Sequence, residues 1–264
     1  MKTYKKHGPA PYRLIVLHGG PGAPGQASTL AKELSSKRGV IEHLQRGSSI
    51  EELKSELKTI IDHETMGSAV LVGHSWGAWL AWIFAAAYPE KVDGLILVSA
   101  GAFEEKYNQN LNEIRLNRLS PTLRKEAVNL MQKIMQSPTD SLSSEWFSKF
   151  GELMEQADSY NTIKKKQEKP HSQPQQYLNL WPEAERLRKT GRLIAMASNI
   201  NCSVISIHGD YDPHPAEGVK KPLEKRLDDF RFIQLKNCGH YPWKEKEARK
   251  VFYQKLKDVL DDLV

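Results

Sequence analysis

Short apolar, β-rich runs alternate with longer amphipathic ones at both ends of the chain. Tyr12–Leu17, Val40–Leu44, Ala69–Val72, Leu95–Val98, Val204–Ile207 and Phe230–Leu235 read as strands. Ser28–Ser36, Ile50–His63, Ala78–Tyr88, Ala216–Leu227 and Lys244–Leu260 read as helices. This alternation predicts an α/β fold, a mostly parallel sheet of about six strands with helices on both faces. Ala78–Ala87 is apolar nearly all round and should be buried, with Tyr88-Pro89 ending it. The last helix carries Val251, Phe252, Leu256, Val259 and Leu260 at helical spacing, which gives it one buried face.

The rhythm breaks between residues 102 and 189. Glu, Lys, Gln, Asn and Ser dominate there, and Leu130, Ile134, Phe147, Phe150 and Leu153 fall at helical spacing. Pro170 and Pro174 mark an irregular stretch. The expectation is a helical cap over 102–189, inserted into a core formed by 1–101 and 190–264.

At 264 residues the chain can bury a large core. No run approaches the roughly 18 apolar residues of a membrane span. The run Leu14-Ile15-Val16-Leu17 is too short for a secretory signal, so a cytoplasmic address is expected. Net charge is +6, but basic and acidic residues interleave. The one dense run, Lys164-Lys165-Lys166 with Glu168 close behind, reads as solvated surface and not as a nucleic-acid contact. Cys202 and Cys238 fall at opposite ends of neighbouring predicted strands, roughly 20 Å apart, so both thiols should be free.

Chemistry enters with Val70-Leu71-Val72-Gly73-His74-Ser75-Trp76-Gly77-Ala78. A strand stops, a helix begins, and Ser75 lies at the bend between two glycines. Such a bend forces its central residue to positive φ and leaves room only for very small residues two positions to either side. A second loop, His18-Gly19-Gly20-Pro21-Gly22, follows the first strand and can turn backbone N–H groups toward a developing negative charge. The N–H of Trp76, just after the serine, is a further donor of this kind. If the second strand lies outside the first and the third on its other side, both loops meet where strand order reverses.

A serine hydroxyl needs a base, and the base needs an acid that fixes its tautomer. Ile207-His208-Gly209-Asp210-Tyr211-Asp212-Pro213-His214 and Asn237-Cys238-Gly239-His240-Tyr241 leave the sheet on the same edge as Ser75. His240 is the better base. His208 belongs to its strand, His74 points away from the serine and His18 braces the glycine loop. Asp210 and Asp212 are both candidate acids. His208, Asp210, Asp212 and His214 also have a metal-like spacing, but Gly209 and Pro213 interrupt it, and no metal is expected. Trp76, Trp79, Trp82 and Trp243 read as core.

Taken together these motifs resemble the α/β-hydrolase superfamily over residues 12–101 and about 190–264. His-Gly-Gly-Pro-Gly with Gly-His-Ser-Trp-Gly is most similar to its proline iminopeptidase branch. The resemblance implies a triad of Ser75, Asp212 (the end of a Gly-x-x-Asp turn, with Asp210 as runner-up) and His240. It also implies oxyanion donors at Gly20 and Trp76. In that branch cap glutamates hold the substrate's amino group, and Glu183 is the candidate equivalent. Two departures stand out: the family's first two strands are missing or cut to one, and Gln45-Arg46-Gly47 replaces the usual Asp-containing turn.

The implied activity is a serine hydrolase acting on a small-molecule or short-peptide substrate, an ester or amide, without cofactor. Neither nucleic acid nor membrane is an expected partner. The alternatives are an iminopeptidase-type aminopeptidase, acyl transfer to an acceptor other than water, and a non-catalytic binding protein on the same fold.

Overall fold

A computed structural model of the chain, describing residues 2–136, 143–163 and 172–263, pairs the apolar runs into one sheet. Its strands are β1 (Tyr4–His7), β2 (Tyr12–Leu17), β3 (Gly39–His43), β4 (Ala69–His74), β5 (Val92–Val98), β6 (Ser203–Gly209) and β7 (Phe230–Leu235), in the order β1-β3-β2-β4-β5-β6-β7. β1 runs antiparallel to β3 and every other pair is parallel. The sheet thus has seven strands, one more than the apolar pattern indicates. β1 escapes that pattern because it is Tyr-Lys-Lys-His, with both lysines exposed at the sheet edge.

Strand alternation sorts the core into two layers. Ile15, Leu17, Ile41, Leu71, Leu95 and Leu97 face one side, where they meet α2 (Ile50–Glu64) and α3 (Trp76–Ala87). Leu14, Val16, Val40, Val72, Ile96 and Ile207 face the other, against α1 (Ser28–Leu34) and the terminal helix Arg249–Leu263. As its composition predicts, α3 is buried from Trp76 to Ala85.

Between β5 and β6 the chain forms α4 (Leu111–Asn117), α5 (Pro121–Gln136), α6 (Ser144–Asp158), α7 (Pro174–Lys189) and α8 (Arg192–Ala195). Helices α4 to α6 share a small core of Leu119, Ala127, Leu130, Leu153 and Ala157. Leu180 and Ala184 of α7 instead join the layer around α3. Lys164–Lys166, Glu168 and Pro170 lie outside the described residues. After β6 comes α9 (Glu217–Glu224), and after β7 a short 3-10 turn at Pro242–Lys244 precedes α10 (Arg249–Leu263). The last helix therefore starts five residues later than its hydrophobic period suggests. No helix among the described residues is long and apolar enough to cross a membrane.

Candidate active site

The site is assembled from loops at one edge of the sheet. β2 and β4 lie side by side in register, with Leu17 opposite Gly73, so the glycine loop and Ser75 leave neighbouring strand ends. The Ser75 N–H donates to the Val98 carbonyl at 3.0 Å, and the chain then bends sharply, with Ser75 at φ 54° and ψ −116°. This is the strained backbone that the two flanking glycines imply. A Cβ on Gly73 would lie 2.3 Å from the Gly77 carbonyl oxygen, and one on Gly77 would lie 2.5 Å from the carbonyl oxygens of Leu17 and His18. Only glycine lets the strand, the elbow and the helix approach so closely.

Ser75 is half-buried, and its side chain makes no hydrogen bond with another described residue. Gly20 has φ +42°, and a Cβ there would meet nothing within 4 Å, so this side of the glycine loop is open. No hydrogen bond among the described residues uses the N–H of Gly20 or of Trp76. His18 braces the loop from beneath, its Nδ1 2.9 Å from the Gly19 carbonyl and its Nε2 3.2 Å from that of Leu44. Complete burial outweighs these two carbonyls and pushes the His18 imidazole down to about 4.

His240 comes to the same place from the loop after β7. Its Nδ1–H donates to Asp212 Oδ2 at 2.8 Å. The His74 Nε2–H donates to the His240 carbonyl at 2.9 Å, with the two rings 4.8 Å apart. His74 is thus turned toward the loop of His240, and burial holds its imidazole well below the usual range. Asp212, and not Asp210, meets His240; Asp210 instead accepts the Cys238 N–H at 3.2 Å. Asp212 Oδ1 also accepts the backbone N–H of His214 at 2.9 Å and its Nδ1–H at 3.0 Å. Burial alone would raise the Asp212 carboxyl, but His240, His208 and His214 together hold it well below the usual carboxylate range. Burial and the neighbouring His240 push His214 down to about 4.

Asp212, His214 and His240 are also the one group among the described residues that could hold a metal ion, with ligand atoms all within 4.8 Å of one another. A carboxylate only accepts, so each Nδ1 facing it carries a proton that would have to leave before an ion could enter. The trio is therefore a hydrogen-bonded unit. An imidazole held in this way presents a free Nε2, which can take a proton from a hydroxyl nearby.

A family model described as alpha/beta hydrolase fold matches residues 12–247. The chain belongs to the alpha/beta hydrolase fold family. Epoxide hydrolase 1 of Caenorhabditis elegans is 34% identical to it over 70 residues, 25% of this chain and 17% of that protein. A proline iminopeptidase of Lactobacillus helveticus is 32% identical over 117 residues, 38% of this chain and 40% of that protein. Both matches span less than half of the relative's length. Among solved structures, VinJ superposes with a TM-score of 0.68 at 19% identity, covering 99% of this chain and 95% of that one. A thermophilic esterase from Thermogutta terrifontis gives 0.62 at 18% identity, covering 98% and 93%. At these identities the likeness shows the fold.

In this alpha/beta hydrolase-fold chain several residues around the site carry no sequence motif. Gln45 stands at φ 50° after β3; it accepts the Trp76 Nε1–H at 2.8 Å and donates to the His18 carbonyl at 2.9 Å. Gln176 of α7 donates to the carbonyls of Gln45 and Gly47 at 2.5 and 2.7 Å, which ties α7 to this turn. Glu183 accepts the Ile50 N–H at 3.1 Å at the start of α2, so its carboxylate caps a helix. Glu245, fully buried, accepts the N–H groups of Gly239, Tyr160 and Asn161 at 3.1, 2.9 and 2.7 Å. The His240 N–H donates to the Asp158 carbonyl at 2.8 Å, and the Asp158 carboxylate is gripped by Arg115 at 2.6 and 2.7 Å. The end of α6 is thereby joined to the loop that carries His240. Trp76, Trp79, Trp82 and Trp243 are all core.

Proposed function

We propose that the chain is a serine hydrolase that cleaves a small carboxylic ester or amide through an acyl-enzyme. The observation that carries this reading is the 2.8 Å Asp212–His240 bond on the same sheet edge as the positive-φ elbow at Ser75. His240 Nε2 takes the Ser75 proton as Oγ attacks the carbonyl carbon. Asp212 fixes the tautomer of His240 and stabilises the imidazolium. The unengaged N–H groups of Gly20 and Trp76 receive the oxyanion, and losing one such donor typically costs about 10²–10³ in rate. His240 returns its proton to the leaving group, and water then releases the acyl group by the reverse path. Residues 102–189 act as a cap that bounds the acyl pocket; α7 is its fixed side through Gln176, and α6 borders the base.

Replacing Ser75 by Ala tests the reading directly. Activity on short p-nitrophenyl esters should fall by at least ~10³-fold with the fold intact, and ester turnover retained by that variant refutes the assignment. A fluorophosphonate probe should label the wild type at Ser75.

The partial match to a proline iminopeptidase supports a second reading, aminopeptidase action on an amino-terminal proline. Against it, the Glu183 carboxylate is already engaged at Ile50. Comparing p-nitrophenyl esters with proline anilide separates the two: ester turnover without anilide cleavage removes the peptidase reading.

A further inference from the structure

His214 lies in Asp212-Pro213-His214-Pro215, between two prolines that restrict its backbone. Its N–H and its Nδ1–H both reach Oδ1 of the carboxylate whose Oδ2 holds His240. Its ring stacks on that of His240, with centroids 4.6 Å apart and planes 26° apart. Two imidazoles therefore share one buried carboxylate, and each keeps its Nε2 on the far side of the ring.

Resting on the serine-hydrolase reading, we propose that His214 is a positioning residue: by sharing Asp212 with His240 it anchors the acid and sets how strongly His240 holds the serine proton. A carboxylate that accepts two further N–H bonds on its other oxygen has less charge to offer His240. His240 then accepts the proton from Ser75 and also gives it up readily to a leaving group. Removing the His214 ring returns that charge to His240 and frees one side of the carboxylate. The other charged or titratable groups facing this unit remain in place. They are His208 on β6, His74 on β4, Arg115 on α4 (itself paired with Asp158), and Tyr241 and Lys244 on the loop of His240.

Three substitutions separate the elements of this role. His214→Ala removes ring and donor, His214→Phe keeps a ring over His240 without the donor, and His214→Asn keeps an N–H near the Nδ1 position without the ring. The readouts are kcat and KM on a p-nitrophenyl ester from about pH 5 to about pH 9, and the NMR titration of the His240 ring, which needs no turnover. In the Ala and Phe variants kcat should fall roughly tenfold with KM little changed, and the acid limb and the NMR midpoint should rise by roughly one pH unit. His214→Asn should recover most of both effects. An Ala variant with wild-type kcat and midpoint overturns the inference, as does a Phe variant that restores what Asn does not. If His214→Ala fails to fold, the Phe and Asn pair decides alone. A wild type that neither turns over esters nor takes the fluorophosphonate sinks the hydrolase reading, and the NMR midpoints still decide whether His214 tunes His240.

Discussion

Replacing Glu245 by Ala should unfold the protein at much lower denaturant, although the residue touches neither Ser75 nor Asp212. Its carboxylate is fully buried and receives three backbone N–H groups, from Gly239 beside His240 and from Tyr160 and Asn161 after α6. A hydrogen bond to a charged acceptor contributes about 1.5–3 kcal/mol net, and a buried donor left without a partner costs about 1–3 kcal/mol. Three such losses, partly relieved by water, amount to at least ~4 kcal/mol, a large share of the ~5–15 kcal/mol that holds a domain folded. Glu245→Gln is the informative control. Its carbonyl oxygen can still serve Gly239 and Tyr160, which share Oε1, but its amide group faces the Asn161 N–H, for a loss of about 2 kcal/mol. Urea titration followed by tryptophan fluorescence measures both variants, and the expected order is wild type, Gln, Ala. An Ala variant within about 1 kcal/mol of wild type would refute the reasoning, because the three amides would then have found other acceptors at no cost.

Gly73→Ala puts a Cβ 2.3 Å from the Gly77 carbonyl oxygen and should lower Tm by roughly 10 °C; calorimetry showing an unchanged Tm would contradict the close approach at the elbow. Gln45→Gly should be milder than Gln45→Leu by about 1 kcal/mol in urea, since both lose the bonds to Trp76 and His18 but only glycine relieves the positive φ; equal losses would show that the turn stores no strain. His214 is held at about 4 and His74 well below the usual range, so between the unfolded value and these the unfolded chain takes up protons that the folded one refuses. Stability is then full above about pH 6.5 and falls as pH drops toward 4, by ~3 kcal/mol for His214 alone; a Tm as high near pH 5 as near pH 7 would count against burial of neutral imidazoles.

The parallel strands were legible because most are short apolar runs whose residues alternate between two buried layers, and the edge strand β7 keeps Phe230, Phe232, Ile233 and Leu235 for those layers. β1 was not, since an edge strand of two exposed lysines carries no apolar signal. The elbow was legible in finer detail: the spacing of Gly73, Ser75 and Gly77 implied both the positive φ and the crowding that the structure shows. Spacing left Asp210 and Asp212 open, and the three-dimensional path of the β6–α9 loop separates them. Residues that act on distant backbone stayed hidden. Glu245 looks like one more solvated acid at a helix start, yet its side chain turns inward to amides that lie far away in sequence. Glu183 shows the converse, a carboxylate suited to binding an amine that instead caps the start of α2. His214 resembled a metal ligand because a histidine two residues from an aspartate reads the same whether ion or proton lies between them.

β1 has a consequence for handling the molecule. It pairs along the outer rim of β3, whose five residues are buried throughout. Trimming the first ten residues would bare a row of unsatisfied main-chain groups along a strand that is buried throughout, with the two lysines that discourage sticking gone as well. Preparations shortened at that end should clump through edge-to-edge pairing even where the loops carrying Ser75, Asp212 and His240 are untouched.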